Sequence, residues 1–176
     1  MSLVAYEDLP SANLMGNLVQ MSGIGDYSAV EYQKVMAGKT ASANIRLGQL
    51  TESINGSSVT KDVESMLQLV HLRFVKPRFE EQAWQVLQGG IKNYLIRRAG
   101  DLNEKKNDSI TITLYGNDNP KKRIFNEQFV SEVTFDKMKN VYKSRFNNAA
   151  DFEFFIVGDV KEEDLKPLLA KYIASI

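Results

Sequence analysis

The amino-acid sequence predicts an α+β fold, because helical and strand patterns occupy separate parts of the chain. Apolar residues recur at helical spacing through most of the 176 residues. The stretch "ASANIRL" alternates apolar and polar residues, as a half-buried strand does. The stretch "FEFFIVGD" at 152–159 is apolar on both faces, which predicts a central strand. The length suits one domain with a hydrophobic core, and neither a repeat nor a long linker divides the chain.

The first half of the chain is predicted to place a hairpin between helices. Gly38 stops the second helix, and the short Gly48-Gln49 connection favours antiparallel pairing of the two strands that it joins. In chain order, the predicted elements are a helix at 11–22, a helix at 28–36, strands at 41–47 and 51–58, and a helix at 60–75.

The second half is predicted to begin with the longest helix, at 80–99. The polar stretch "AGDLNEKK" at 100–107 is typical of an exposed loop, and "DSITITLY" at 108–115 has the β-branched alternation of a strand. Thr134 is suited to cap a further helix, and the last helix carries Leu165, Leu168, Leu169 and Tyr172 on one face.

Composition excludes several classes of function. Lys and Arg together number 22, as do Asp and Glu, so no positive field favours a nucleic-acid partner. No apolar run approaches the roughly 20 residues of a membrane-spanning helix. The first residues lack the features of an export signal, which leaves a periplasmic and a cytoplasmic location both open. With no Cys and only His71, the chain alone is not expected to form a zinc site, and His71 is expected to be structural.

The stretch "ANLMGNLVQMSG" at 12–23 carries polar residues on a helix that is otherwise apolar. Asn13 and Asn17 are four residues apart and therefore share one helix face, with Gly16 beside them. Two interpretations are open from these residues alone. They form an ordinary surface of a helix, or they occupy an active site whose reactive groups have been replaced.

The second half of the chain resembles the pitrilysin and insulinase-type zinc peptidases. "TLYGNDNPKKR", then a helix, then "NNAADFEFFIVGDVKEEDLKPLLAKYIAS" matches the turn, docking helix, strand and closing helix of that family. The residues that match are Leu114, Tyr115, Gly116, Pro120, Val157, Gly158, Asp159, Leu165 and Tyr172. The middle of the chain, from "SAVEYQ" to "VKPRF", is similar to the family's helix, hairpin and following helix. Together these stretches cover about residues 11 to 176.

The resemblance implies a zinc site whose ligands are replaced in this chain. The family carries H-x-x-E-H on a helix, with two His for zinc and a Glu as general base. Asn13, Gly16 and Asn17 stand at those three positions, and the further Glu ligand has no counterpart between Glu81 and Glu104. The resemblance thus implies no catalytic, cofactor-binding or metal-ligating residue in this chain, and a zinc ion in the catalytic domain of a parent protein.

The resemblance also implies the architecture. The family fold is a two-layer sandwich of an antiparallel sheet with helices on one face, as in the metallohydrolase domain of mitochondrial processing peptidase. It implies helix rather than strand before the turn at Gly116, and we follow it there against local propensity. Residues 1–176 are expected to form a single domain that lacks the family's first strands and derives from a larger protein.

The function that the resemblance implies is that of a non-catalytic domain, inactive alone. It would form part of the substrate chamber of a zinc metalloendopeptidase, while another domain performs proteolysis. Its partners would be the other domains of the same polypeptide, including a catalytic half, and the peptide substrate. Two alternatives stay open: an inactive core-type subunit with a structural role in a hetero-oligomer, and an unrelated ferredoxin-like binding module.

Overall fold

The computed structural model describes residues 4–48 and 50–176, and it has the predicted α+β class. Short 3-10 turns occur at Tyr6–Asp8, Thr60–Asp62 and Ala149–Asp151. None of the described helices is both long and apolar enough to cross a membrane. The main elements are α1 Leu9–Met21, α2 Ala29–Val35, β1 Ala41–Leu47, β2 Glu52–Ser58, α3 Val63–Val75, α4 Glu81–Gly100, α5 Leu102–Tyr115, α6 Glu127–Ser131, α7 Phe135–Arg145 and α8 Glu162–Tyr172.

The predicted hairpin is confirmed, and helices cover one of its faces. β1 and β2 pair antiparallel, from Ala41 opposite Ser58 to Leu47 opposite Glu52. Ala43 and Ile45 are buried beneath helices, whereas Asn44 and Arg46 are exposed on the opposite face. This alternation follows from the two-residue period of a strand. The connection includes Gln49, which lies outside the described residues.

The largest part of the core lies between α1, α4 and α7. Leu18 and Val19 of α1 are fully buried, and Met138 and Tyr142 of α7 pack in the same cluster. Ile45 extends this cluster to the hairpin, while Leu69, Val70 and Phe74 of α3 form a second cluster beneath it. The helix α1 is thus held between the hairpin and the later helices.

Arg73 of α3 joins the hairpin to the end of α1. Its side chain is only 5% exposed, and its Nε donates to the carbonyl oxygen of Ala43 at 3.1 Å. Its Nη1 donates to the carbonyl oxygen of Val19, in the last turn of α1, at 3.5 Å. A cation at a helix C-terminus is favoured by the helix dipole. Burial lowers the pKa of Arg73, but arginine starts so high that it stays charged at neutral pH.

The backbone of Arg73 is tied to α7 as well. The Tyr142 hydroxyl donates to the Arg73 carbonyl oxygen at 2.7 Å, and burial raises the pKa of this hydroxyl, which keeps it protonated. One residue of α3 therefore contacts β1, α1 and α7 through hydrogen bonds.

The loop predicted at 100–107 is wrong, because α5 starts at Leu102. The Asp101 carboxylate caps the helix by accepting from the N–H groups of Asn103 and Glu104, at 2.8 and 3.3 Å. Arg98 of α4 forms ion pairs with Glu104 and Asp108 across the junction. The helix that the resemblance implied at 108–115 is confirmed as the second half of α5.

The central strand predicted at 152–159 is also wrong. The segment is extended, but among the described residues no main-chain hydrogen bond joins 153–157 to β2 or to another strand. Phe155 is 82% exposed and Val157 is 98% exposed. A strand requires a neighbour at hydrogen-bonding distance, and a cleft separates this segment from β2.

We expect Arg73→Met to lower the free energy of unfolding by about 1–3 kcal/mol, because two carbonyl groups next to the core lose their donors. Arg46→Met, on the exposed face of β1, is the matched control and should change stability by less than about 0.5 kcal/mol. Urea unfolding of the three proteins measures the difference. Equal stability of both variants would contradict the structural role of Arg73.

Candidate functional site

The three residues singled out by the sequence lie together on one exposed face of α1. Asn13 and Asn17 are exposed, one turn apart, and Gly16 lies between them, partly buried. One turn further, the Gln20 amide donates to the Asn44 side chain of β1 at 3.4 Å. The face therefore continues from α1 onto the exposed side of the hairpin.

The opposite face of α1 fixes this orientation. Leu14, Met15, Leu18 and Val19 are all buried in the core, so the helix cannot rotate without exposing them. On the outer side, a Cβ atom at Gly16 would meet its nearest neighbour, the Ile45 carbonyl oxygen, at 3.8 Å. That is an ordinary van der Waals distance, so packing does not require glycine at position 16.

Gly23, just beyond α1, is a position where the surrounding backbone does require glycine. A Cβ atom there would collide with the Tyr27 carbonyl oxygen and with the Ser28 backbone. Gly16 has no such neighbour, and in a helix interior it costs about 1 kcal/mol relative to alanine. The fold therefore does not explain why glycine, rather than a residue with a side chain, occupies position 16.

The donor set on this face does not fit zinc. Zinc sites in proteins use imidazole, thiolate or carboxylate ligands, and the two asparagines offer only neutral amide oxygens. Gly16 has no side chain to accept a proton from water. Throughout residues 4–48 and 50–176, no three His, Cys, Asp or Glu residues lie close enough together to hold a metal ion.

His71 lies on α3, and its side chain makes a hydrogen bond to the main chain at the end of α8. Its Nδ1 is 2.8 Å from the Tyr172 carbonyl oxygen, which can only accept, so Nδ1 carries the proton and donates. The Tyr172 hydroxyl donates to Glu64 at 2.7 Å, and this bond lowers the pKa of the Glu64 carboxyl. Gln68 donates to the same hydroxyl at 2.8 Å. His71 thus helps to dock the end of α8 on α3.

A cleft that the sequence did not reveal lies between β2 and the segment 151–160. It has a volume of about 840 Å³, and α3 residues such as Val70 and Phe74 line it together with both of these stretches. Sequence reasoning missed it because "FEFFIVGD" was expected to be paired within the sheet. The sequence alone holds no signal for the cleft; it becomes visible because a segment with strong strand propensity has no strand partner within the part of the chain that the structure describes.

A smaller concavity of about 360 Å³ lies around the turn at 116–128. Its charged groups are largely used within the fold. Arg123 donates two hydrogen bonds to the Glu132 carboxylate, at 2.5 and 2.7 Å, which lowers the pKa of Glu132 and raises that of Arg123. Lys122 lies over the Tyr115 ring at 5.6 Å. This concavity has no feature that points to a reaction.

The chain is similar in sequence to two bacterial proteins that are named as probable zinc proteases. No family model matches it. The chain is 24% identical over 163 residues to the probable zinc protease PqqL of Escherichia coli, and 21% identical over 162 residues to that of Haemophilus influenzae. These matches cover 93% and 91% of the chain, but the chain spans only 17% of the length of either relative.

Solved structures agree with the sequence matches. The crystal structure of the periplasmic protease PqqL from Escherichia coli superposes with a TM-score of 0.78 over 99% of this chain and 20% of that one, at 22% identity. The ferredoxin protease FusC, solved with Arabidopsis ferredoxin, gives a TM-score of 0.70 over 94% of this chain and 18% of that one, at 16% identity. The resemblance to the pitrilysin/insulinase-like zinc peptidases that the motifs predicted is therefore confirmed, in sequence over most of the chain and in fold over nearly all of it.

Proposed function

We propose that this chain is a non-catalytic domain of a pitrilysin/insulinase-like zinc metallopeptidase and forms part of the wall of its substrate chamber. The observation that carries the proposal is the exposed face of α1. By the resemblance, Asn13, Gly16 and Asn17 correspond to the His, Glu and His of the family motif. All three lie on this face, and packing does not require glycine at position 16. The side chains of Asn13 and Asn17 are neutral amides, and position 16 has no side chain that could accept a proton.

The size of the relatives supports a role beside a catalytic domain. The chain matches about a fifth of the length of each neighbouring structure, so most of each relative consists of other parts. In the proposal, a zinc ion and its ligands belong to one of those other parts of the parent polypeptide. Peptide is the substrate class, by analogy with relatives that are described as proteases.

The side chains on the proposed wall suit contact with peptides of varied sequence. Asn13, Asn17, Gln20 and Asn44 each offer an amide that donates and accepts, which matches the alternating groups of a peptide main chain. They carry no charge that would select one kind of side chain. Such a surface can orient an extended substrate while the bond-breaking groups lie elsewhere.

The main alternative is an inactive partner subunit in a hetero-oligomer. The matched relatives favour the first proposal, because in each of them the similar region is one segment of a much longer chain. The gene around this segment distinguishes the two. An H-x-x-E-H motif in the same reading frame supports a domain of a peptidase, and a frame without one supports a separate subunit.

We expect the isolated chain to bind well below one zinc per molecule and to cleave neither unfolded proteins nor short peptides. Activation of water requires a metal or a general base near the scissile carbonyl, and position 16 has no side chain. Metal analysis of protein purified without a histidine tag and a peptide cleavage assay are the measurements. One tightly held zinc per chain, or chelator-sensitive cleavage that is lost on changing Asn17, would contradict the proposal.

Restoring the motif residues should produce weak zinc binding without efficient turnover. In the triple variant Asn13→His, Gly16→Glu and Asn17→His, two imidazoles four residues apart can chelate zinc, and the space at position 16 admits a side chain. The further Glu ligand and the facing half remain absent, so a substrate is not positioned. Calorimetry with zinc and cleavage of a quenched fluorescent peptide test this.

The matched control for the triple variant is Asn13→Gln, Gly16→Ala and Asn17→Gln, which fills the same positions without zinc ligands. It should bind no zinc. Robust zinc-dependent turnover by the histidine variant alone would show that this chain holds a nearly complete active site, and the chamber-wall proposal would then be wrong.

A further inference from the structure

We propose that Asn55 of β2 is a site of spontaneous modification, where the folded protein loses a side-chain amide and gains aspartate or isoaspartate. Asn55 and Gly56 form the one Asn-Gly pair in the sequence. The reaction uses water and hydroxide and requires no enzyme. It does not depend on the proposed function; only its consequence for the chamber wall rests on that function.

The reaction joins the side chain of Asn55 to the main chain of Gly56. Hydroxide removes the proton from the Gly56 nitrogen, which then attacks Cγ of Asn55. A bond forms between this nitrogen and Cγ, the bond from Cγ to Nδ2 breaks, and ammonia leaves after taking a proton from water. Water opens the resulting five-membered imide: addition at Cγ yields aspartate, and addition at the main-chain carbonyl carbon yields isoaspartate. Both products carry a carboxylate in place of a neutral amide.

Packing places a glycine directly after Asn55. A Cβ atom at position 56 would lie 3.0 Å from the sulfur of Met66 and 3.5 Å from a methyl carbon of Val70, so β2 approaches α3 most easily with glycine there. Glycine also leaves the main-chain nitrogen unobstructed and gives the chain the freedom that ring closure requires. The residue that suits the packing of the hairpin on α3 is thus the residue that makes Asn55 reactive.

The register of the hairpin turns the attacking nitrogen away from β1. The Val59 N–H donates to the Thr40 carbonyl oxygen at 3.2 Å, and antiparallel strands alternate between bonded and non-bonded pairs. Gly56 and Ala43 therefore form a non-bonded pair, whose main-chain groups point outward. The Ala43 carbonyl accordingly accepts a hydrogen bond from Arg73. The outward N–H of Gly56 has no main-chain acceptor in the part of the chain that the structure describes.

Ring closure requires local opening of β2, because an extended backbone holds the Gly56 nitrogen away from Cγ of Asn55. The pair that Asn55 forms with Asn44 must separate. Residues 55–57 are all exposed, so little apolar contact opposes this opening. The Asn55 amide also donates to Ser53 Oγ at 3.1 Å, in an exposed bond that water can replace at small cost. The modification is therefore expected in the folded protein, through opening of this part of β2 alone.

The products change the surface beside α1. Asn55 lies opposite Asn44 on the exposed face of the hairpin, and the Gln20 amide of α1 donates to the Asn44 side chain. Aspartate at position 55 adds a negative charge to this neutral surface. Isoaspartate adds the same charge and lengthens the main chain of β2 by one carbon atom, which disturbs the pairing with β1. If the face is a chamber wall, its contacts with peptide change as the protein ages.

Mass spectrometry of the folded chain tests the proposal. The protein is held at mildly alkaline pH, digested with trypsin, and compared with a sample digested at once. The tryptic peptide 47–61 contains Asn55 and no other asparagine. A larger fraction of this peptide than of any other should gain the mass of a carboxyl in place of an amide, and it should accept methyl groups from an isoaspartyl methyltransferase.

Matched variants identify the residue. Asn55→Gln should abolish the change in peptide 47–61, because a glutamine side chain would have to close a larger ring. Asn107→Gln, the same substitution at an exposed position of α5, should leave it intact. The proposal is overturned if peptide 47–61 changes no more than the other asparagine-containing peptides, or if the change survives in Asn55→Gln.

A third variant distinguishes local opening from global unfolding. Ile91→Val removes one buried methyl group from α4, outside the hairpin, and should raise the unfolded fraction several-fold. Local opening predicts the same rate of modification at Asn55 as in the parent chain. A rate that rises by the same factor as the unfolded fraction would overturn the proposal. None of these results measures zinc binding or peptide cleavage, so failure here is distinct from failure of the proposed function.

Discussion

The buried guanidinium of Arg73 is the contact on which the arrangement of this domain depends. It binds an outward carbonyl of β1 and a carbonyl in the last turn of α1, while its own carbonyl accepts from Tyr142 of α7. These bonds fix α1 along the edge of the hairpin. The face that carries Asn13 and Asn17 therefore lies beside the exposed side of β1, in a position that is set by packing.

Under the proposed function, α1 has the position of a site without the chemistry of one. The buried side of α1 sets the orientation of the helix, and position 16 has space for a side chain, while Asn13, Gly16 and Asn17 offer no imidazole, thiolate or carboxylate. At the outer edge of the hairpin, by contrast, the main-chain N–H and C=O groups of β2 that point away from β1 have no main-chain partner among the described residues.

Sequence patterns predicted the elements whose burial appears as apolar periodicity, and they failed where polar caps and ion pairs, or the presence of a neighbouring strand, decide the structure. Alternation in "ASANIRL" and helical spacing around Leu18 identified β1 and α1. The polar stretch at 100–107 looked like a loop because the Asp101 cap and the ion pairs of Arg98 are not visible in apolar periodicity. Residues 152–159 have every local property of a strand, but pairing also requires a neighbour. The position of Arg73 could not be predicted, since an arginine between apolar residues is normally placed at the surface.

Cross-linking in the complete protein tests the chamber-wall account most directly. A photoreactive benzoylphenylalanine is placed at position 17 of α1 in the full-length protein, with its zinc removed by chelation so that bound peptide is not cleaved. The control carries the same group at Lys106 of α5, a helix without buried residues. The account predicts that position 17 captures a labelled substrate peptide, that unlabelled peptide competes, and that position 106 captures none. Equal capture at both positions, or none at position 17 while the peptide still binds, would contradict it.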